Sequence, residues 1–370
     1  MSEKIAFYFA TSGHSGVDRA MQNLIPAVAR RGYAVDLLHV RNHGPHFAQA
    51  PAGVRIVDLG ASHVYTSLPA VTNYLRKEKP QVMLSDKDRV NRTAFFARMI
   101  SGAPTRLVLS SGTTLSIELA HRGPLDRWLQ RKSIGHLYRH AAKVIVTSEG
   151  VKTDMSAYTG LPLKHIEVVP SPVVHADLFR MAQPRPPHPW FREGELPVIL
   201  GVGELSERKD FSTLVRAFAL VRASRPCRLV ILGRGRKRDS LIDLAAELGI
   251  ADDVAFPGFE PNPYPYMAHA AVFAFTSLWE GLGFVLIEAL AVGTPVVSTD
   301  CPSGPREILQ DGKYGKLVPT GDVAAVSEAI ENSLINRPPK EFLQEAAWPY
   351  EIESSTSAYL KAMGLEHSTV

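Results

Sequence analysis

Between Val272 and Ser298 the chain alternates its signals at a spacing that few architectures accept. The apolar run Val272-Phe273-Ala274-Phe275 reads as a buried strand, Phe284 to Ala291 as a buried helix, and Val296-Val297-Ser298 as a second strand. Gly293 reads as the helix C-cap and Pro295 as its stop. Strand, helix and strand in this order are the repeating unit of a parallel sheet covered by helices. Two carboxylates sit on the unit, Glu280 in the loop before the helix and Glu288 within it, with seven residues between them. Gly281 and Gly283 follow the first carboxylate and let the backbone approach a ligand closely. The first amides of the helix have no internal partners and carry the positive end of its dipole, so they suit a phosphate or a ring of hydroxyls.

A pair of glutamates at this spacing is common by chance, and its flanks give it meaning. Phe273-Ala274-Phe275-Thr276-Ser277 precedes it, and Cys301-Pro302-Ser303-Gly304-Pro305-Arg306-Glu307-Ile308-Leu309 follows it. The whole segment resembles the E-x7-E signature of the retaining, nucleotide-sugar-dependent glycosyltransferases of the GT-B fold, the group 1 enzymes of glycosyltransferase family 4. The resemblance implies an α/β chain of two Rossmann-like domains with parallel sheets facing across a cleft, and a final helix crossing back to the N-terminal domain. It further implies that Glu280 binds sugar hydroxyls with the amides of Gly283 and Phe284, that amides near Val285 meet the phosphate, and that Glu288 holds the ribose.

The rest of the chain accommodates that architecture. At 370 residues it suits two domains of ordinary size. Short apolar runs alternate with amphipathic ones through both halves: strands are expected near Ile5 to Ala10, Ala34 to Val40, Val82 to Ser85, Arg106 to Leu109 and Lys143 to Thr147. The alternation restarts at Val198. Prolines at 172, 184, 186, 187 and 189 mark 173–196 as the linker between an acceptor domain, 1–172, and a donor domain, 197–349. The amphipathic tail from Glu341 to Met363 supplies the returning helix, expected at about 350–370. Only two cysteines occur, Cys227 and Cys301, in unrelated contexts, so neither a disulfide framework nor a cysteine metal site is indicated. No apolar run is long enough to span a bilayer. The start of the chain enters its first strand without a signal-peptide cleavage region, which points to the cytoplasm. The formal charge of +4 fits polyphosphate ligands or an anionic surface, and no zinc spacing or RNA- or DNA-reading pattern accompanies it, so nucleic acid is not expected.

Two further loops belong at the carboxyl ends of strands, where ligands bind in open α/β sheets. The first, Thr11 to Arg19, has Gly13 and Gly16 in a phosphate-approaching turn, and the resemblance places them beside the donor diphosphate and the acceptor. The second, Gly201 to Phe211, has Gly203 at its turn and Arg208-Lys209 before a helix. Cations at a helix start oppose the dipole and need another reason to be there; neutralising a departing nucleoside diphosphate is such a reason. Relatives usually carry an arginine directly after the second glycine, where this chain has Glu204, and Arg208 is taken as its replacement. Gly233 and Phe259, after further strands, would frame the base.

A histidine common in relatives near the donor C6 is missing at Gly112, which opens the identity of the donor sugar; His14 and His121 are the candidates to stand in for it. Asp86-x-Asp88 mimics a metal motif without its context, so no metal and no cofactor is expected. From 122 to 143, Arg122, Arg127, Arg131, Lys132, Arg139 and Lys143 face the single acid Asp126 and interleave with Leu125, Trp128, Leu129, Leu137 and Tyr138. That pattern suits the inner face of a membrane carrying a lipid-linked acceptor, or a solvated helix with an apolar core side. The expected partners are thus a nucleotide-sugar, UDP-linked in the leading reading, and a polysaccharide or lipid-linked glycan. The alternatives are a non-catalytic sugar-nucleotide-binding partner and another GT-B enzyme, such as a phosphorylase or a nucleotide-sugar epimerase.

Overall fold

The structure is a computed structural model that describes residues 3–11, 13 and 16–365. The chain divides into two units, Met1–Val173 with Tyr350–Val370, and Val174–Pro349. In the first, β1 (Lys4–Phe9), β2 (Ala34–His39), β3 (Val54–Asp58), β4 (Val82–Asp86), β5 (Arg106–Ser111), β6 (Lys143–Val146) and β7 (Ile166–Val168) form one sheet in the order β3-β2-β1-β4-β5-β6-β7. In the second, β8 (Val198–Val202), β9 (Arg228–Leu232), β10 (Val254–Gly258), β11 (Val272–Phe275), β12 (Val296–Thr299) and β13 (Lys316–Val318) run in the order β10-β9-β8-β11-β12-β13. Every strand pair is parallel. Helices connect the strands and bury their apolar stripes on them, so the central strands are buried on both faces and read as continuous apolar runs.

Each sheet reverses its strand order once, between β1 and β4 in the first unit and between β8 and β11 in the second. At such a reversal the two flanking loops leave in opposite directions and open a crevice beyond the carboxyl ends of the strands. The Thr11 and Asp86 loops leave β1 and β4; the Arg208-Lys209 loop and the Thr276 to Gly283 loop leave β8 and β11.

Three sequence expectations change. The segment 173–196 is no free linker: from Val174 on it lies in the second unit and opens with a helix, Ala176–Ala182, that packs on the helix Tyr264–His269. Its prolines begin only after that helix, so they set its end. The tail is not one amphipathic run either, because the turn Trp348–Tyr350, with Pro349 inside it, separates the helix Lys340–Glu345 from Ile352–Ala362. The latter belongs to the first unit, where it packs on the helix Gly16–Arg30 and Glu353 pairs with Arg31 at 2.8 Å. Finally, β3 and β7 were not foreseen: β3 exposes Arg55 and Ile56 at a sheet edge, and β7 has three residues.

Candidate functional site

The second unit's crevice is organised around Glu280. Its side chain is 6% exposed and both carboxylate oxygens are engaged. Arg208 Nη1 donates to Oε2 at 2.7 Å, while Lys209 Nζ at 2.5 Å and Ser277 Oγ at 2.8 Å donate to Oε1. The chain brings these groups together with backbone clamps. Leu278 N–H donates to Arg208 O at 2.8 Å, Thr276 Oγ1 donates to the carbonyls of Lys209 and Asp210, and Thr299 Oγ1 donates to Ser277 O at 2.6 Å. The end of β11 is thereby tied to the cation loop on one side and to β12 on the other. Asp210 closes the cation loop with φ 44° and caps the helix Phe211–Ser224 by accepting from Thr213 N. Glu280 thus offsets one of the two positive charges that sit just before a helix start, which reduces the dipole penalty.

The electrostatics follow from burial and pairing. Burial alone would raise the Glu280 carboxyl, but Lys209 and Arg208 outweigh it and hold it below the usual carboxylate range. Burial, with Arg208 adding repulsion, keeps Lys209 below the ordinary lysine value despite Glu280. Lys209 Nζ also lies 4.8 Å from the centre of the Phe275 ring. Burial, reinforced by Glu280, pushes the neighbouring Cys301 thiol up to about 12, so it stays protonated.

The glycines have distinct reasons. A Cβ on Gly233, which has φ 145°, would stand 1.8 Å from Gly203 O, and one on Gly203 would press on the Lys209 stem at 3.1 Å. Backbones at the ends of β8 and β9 therefore approach as only glycine allows. Gly283, at φ 103°, precedes the helix Phe284–Ala291 and leaves its first amides beside partly exposed Phe284 and Val285. Glu288 is buried in the same helix. Phe259 is exposed after β10, its ring 5.5 Å from the Arg234 guanidinium.

The first unit holds the remaining candidates. Gly13 has φ 86° and packs against the His46 ring, and Gly16 opens the first helix, whose buried Asp18 accepts from Thr11 Oγ1. His14 lies outside the described residues. Gly112 follows β5, where any Cβ would stand 3.3 Å from Thr147 Cγ2, and His121 is exposed beyond the short helix Leu115–Glu118. Asp86 is buried at the end of β4, while Asp88 pairs with Arg92 at 2.8 Å. Pro124–Leu137 is a helix whose buried residues are Ile134 and Gly135; Leu125, Trp128 and Leu129 are instead exposed by 71%, 54% and 51%, with Arg131 and Lys132 exposed beside them. Its apolar stripe faces outward at one-turn spacing rather than into a core.

Sequence reasoning passed over Ser277, Thr276 and Thr299. Ser277 carries a local signal, three residues before Glu280; the other two act on carbonyls, which no side-chain pattern reveals.

Residues 15–172 match the model for the glycosyl transferase 4-like domain, and 187–347 match that for glycosyl transferases group 1. Over 67% of this chain it is 33% identical to the N-acetylgalactosamine-N,N'-diacetylbacillosaminyl-diphospho-undecaprenol 4-alpha-N-acetylgalactosaminyltransferase of Campylobacter jejuni. Over 46% of this chain it is 36% identical to the lipopolysaccharide core biosynthesis glycosyltransferase LpsE of Rhizobium meliloti. The chain spans 65% and 50% of the lengths of these two relatives. Among solved structures, the lipopolysaccharide outer core galactosyltransferase WaaB superposes with TM-score 0.74 and 18% identity, covering 98% of this chain and 99% of its own. Anabaena HepE in complex with UDP superposes with TM-score 0.76, 18% identity, and 98% and 99% coverage. With both units matched in order and with the architecture of these GT-B structures, the chain belongs to the group 1 glycosyltransferases of family 4.

Proposed function

We propose that the protein is a retaining glycosyltransferase that moves a sugar from a nucleoside diphosphate, UDP in the leading reading, to a cell-surface polysaccharide or lipid-linked glycan precursor. The observation that carries this reading is the convergence of Arg208, Lys209 and Glu280 where β8 and β11 part, with the start of the helix Phe284–Ala291 a few residues beyond. Such a site offers two fixed cations and free amides to a diphosphate, and a buried carboxylate to hydroxyls. Named functions of the relatives support it: one transfers to a diphospho-undecaprenol-linked sugar, and HepE binds UDP. Arg208 and Lys209 draw charge from the leaving diphosphate as the glycosidic bond breaks, in place of a metal. The acceptor hydroxyl attacks on the side the diphosphate leaves, and the donor phosphate takes its proton, so no protein nucleophile is required.

The outward stripe of Leu125, Trp128 and Leu129 among cations supports peripheral contact with an anionic membrane, where a lipid-linked acceptor resides. The function is tested by following UDP release from a panel of UDP-sugars with lipid-linked and polysaccharide acceptors, with and without excess EDTA. Transfer that persists in EDTA with retained anomeric configuration supports the reading. Donor binding with neither transfer nor hydrolysis would restore the non-catalytic alternative, and metal-reversible inhibition would reopen Asp86 and Asp88.

A further inference from the structure

Both oxygens of Glu280 are already taken by the groups assigned to the donor. Arg208 holds Oε2 and Lys209 holds Oε1, in surroundings where Glu280 is 6% and Lys209 10% exposed. Each cation spends one N–H on the carboxylate and has others to offer, but a diphosphate that uses them brings like charge beside Glu280, and a buried carboxylate whose cations are drawn to a competing anion is heavily penalised unless other donors replace them. Hydroxyls of the transferred sugar are such donors; a nucleoside diphosphate without that sugar brings only its ribose hydroxyls, which are assigned to Glu288.

We propose that Glu280 is an exchangeable counter-ion that makes occupancy of the cation pair depend on the sugar, and so expels the nucleoside diphosphate once the sugar has gone. The proposal rests on the donor reading of this site. With the intact donor bound, diphosphate oxygens take Arg208 and Lys209 while hydroxyls take the carboxylate. After transfer the carboxylate is stranded, and it retakes the cations as the nucleoside diphosphate leaves. The two cations differ in their freedom. The Lys209 side chain is 10% exposed and lies over the Phe275 ring, whereas the Arg208 side chain is 34% exposed. Exchange therefore begins at Oε2, while Ser277, itself held by Thr299, keeps Oε1 in place. Diphosphate and sugar thus bind with a coupling free energy that neither possesses alone.

The test is calorimetric titration of the full chain and its Glu280→Gln variant with UDP and with inorganic pyrophosphate, which needs neither base nor sugar subsite. The variant is expected to bind both at least about tenfold more tightly than wild type, each tenfold being about 1.4 kcal/mol. UDP binding that is unchanged or weaker in the variant overturns the exchange and leaves the donor reading standing. A gain for pyrophosphate with no UDP binding by either protein upholds the exchange and removes the UDP reading; binding of neither ligand by either protein removes both. Should Glu280→Gln fail to fold, Glu280→Asp keeps the charge on a stem one methylene shorter. It is expected to show a smaller gain, and no gain in that variant counts against the exchange.

Discussion

Lys209 Nζ and Glu280 Oε1 lie 2.5 Å apart although the two residues are 71 positions apart in the chain. Removing one partner leaves the other charge buried. Lys209→Ala leaves Glu280 with Arg208 and Ser277, so it is expected to destabilise the fold by less than the ~3–5 kcal/mol that breaking an isolated buried pair from one side costs. Adding Glu280→Gln should restore part of that loss. A double-mutant cycle of urea midpoints checks it, and additive effects would show that the pair is not coupled.

Glu288→Ala should weaken UDP binding, because a ribose hydroxyl pair loses a charged acceptor worth about 1.5–3 kcal/mol, or about 10- to 150-fold in affinity. Titration of UDP into the purified variant reads this directly. Unchanged affinity removes Glu288 from the donor site.

Asp86 gives stability an acid-side dependence. Burial pushes its carboxyl up to about 6, against the opposing hydrogen bond from Ser110. The folded value lies above the unfolded one, so the contribution is full below about pH 4 and is lost as pH rises through about 6. The loss is on the order of 3 kcal/mol for a shift of this size. Asp86→Asn, which cannot ionise, should gain stability relative to wild type as pH is raised from 4 to 7. Urea midpoints of the two proteins across that range test it; a flat difference contradicts it.

Replacing Trp128 and Leu129 together by Glu should abolish co-sedimentation with phosphatidylglycerol vesicles, since burial of one such side chain contributes about 1.5–3 kcal/mol. UDP affinity should not change, because neither residue is among those assigned to the donor. Vesicle binding that survives the double substitution assigns the exposed stripe to some other partner.

Much of the fold was legible because a strand buried on both faces has to be apolar throughout: β1, β4, β8, β9, β11 and β12 stood out for that reason. The edge strand β3 did not, since Arg55 and Ile56 face solvent and its alternation is broken. Prolines in the 173–196 segment signalled an interruption but not its extent, as Ala176–Ala182 has ordinary helix formers ahead of them. Glu280 and the Arg208-Lys209 pair could each be picked out from local context. That they pair with one another could not, because the pairing is made by Thr276 and Leu278 docking two loops, and neither residue advertises a partner 66 to 70 positions away. The outward aim of Trp128 was equally hidden: an amphipathic helix declares a stripe, not which side of it meets the protein.

The assignment of Ile352–Ala362 to the first unit has a consequence for biosynthesis. As the chain leaves the ribosome, all seven strands of that unit emerge before the second unit begins, yet the helix that covers Gly16–Arg30 emerges only after the second unit is complete. The first unit must therefore wait, partly uncovered, while its neighbour is made. During that interval the helix Gly16–Arg30 lacks its final cover. A nascent chain stalled before Ile352 is accordingly a better chaperone substrate than its length alone suggests.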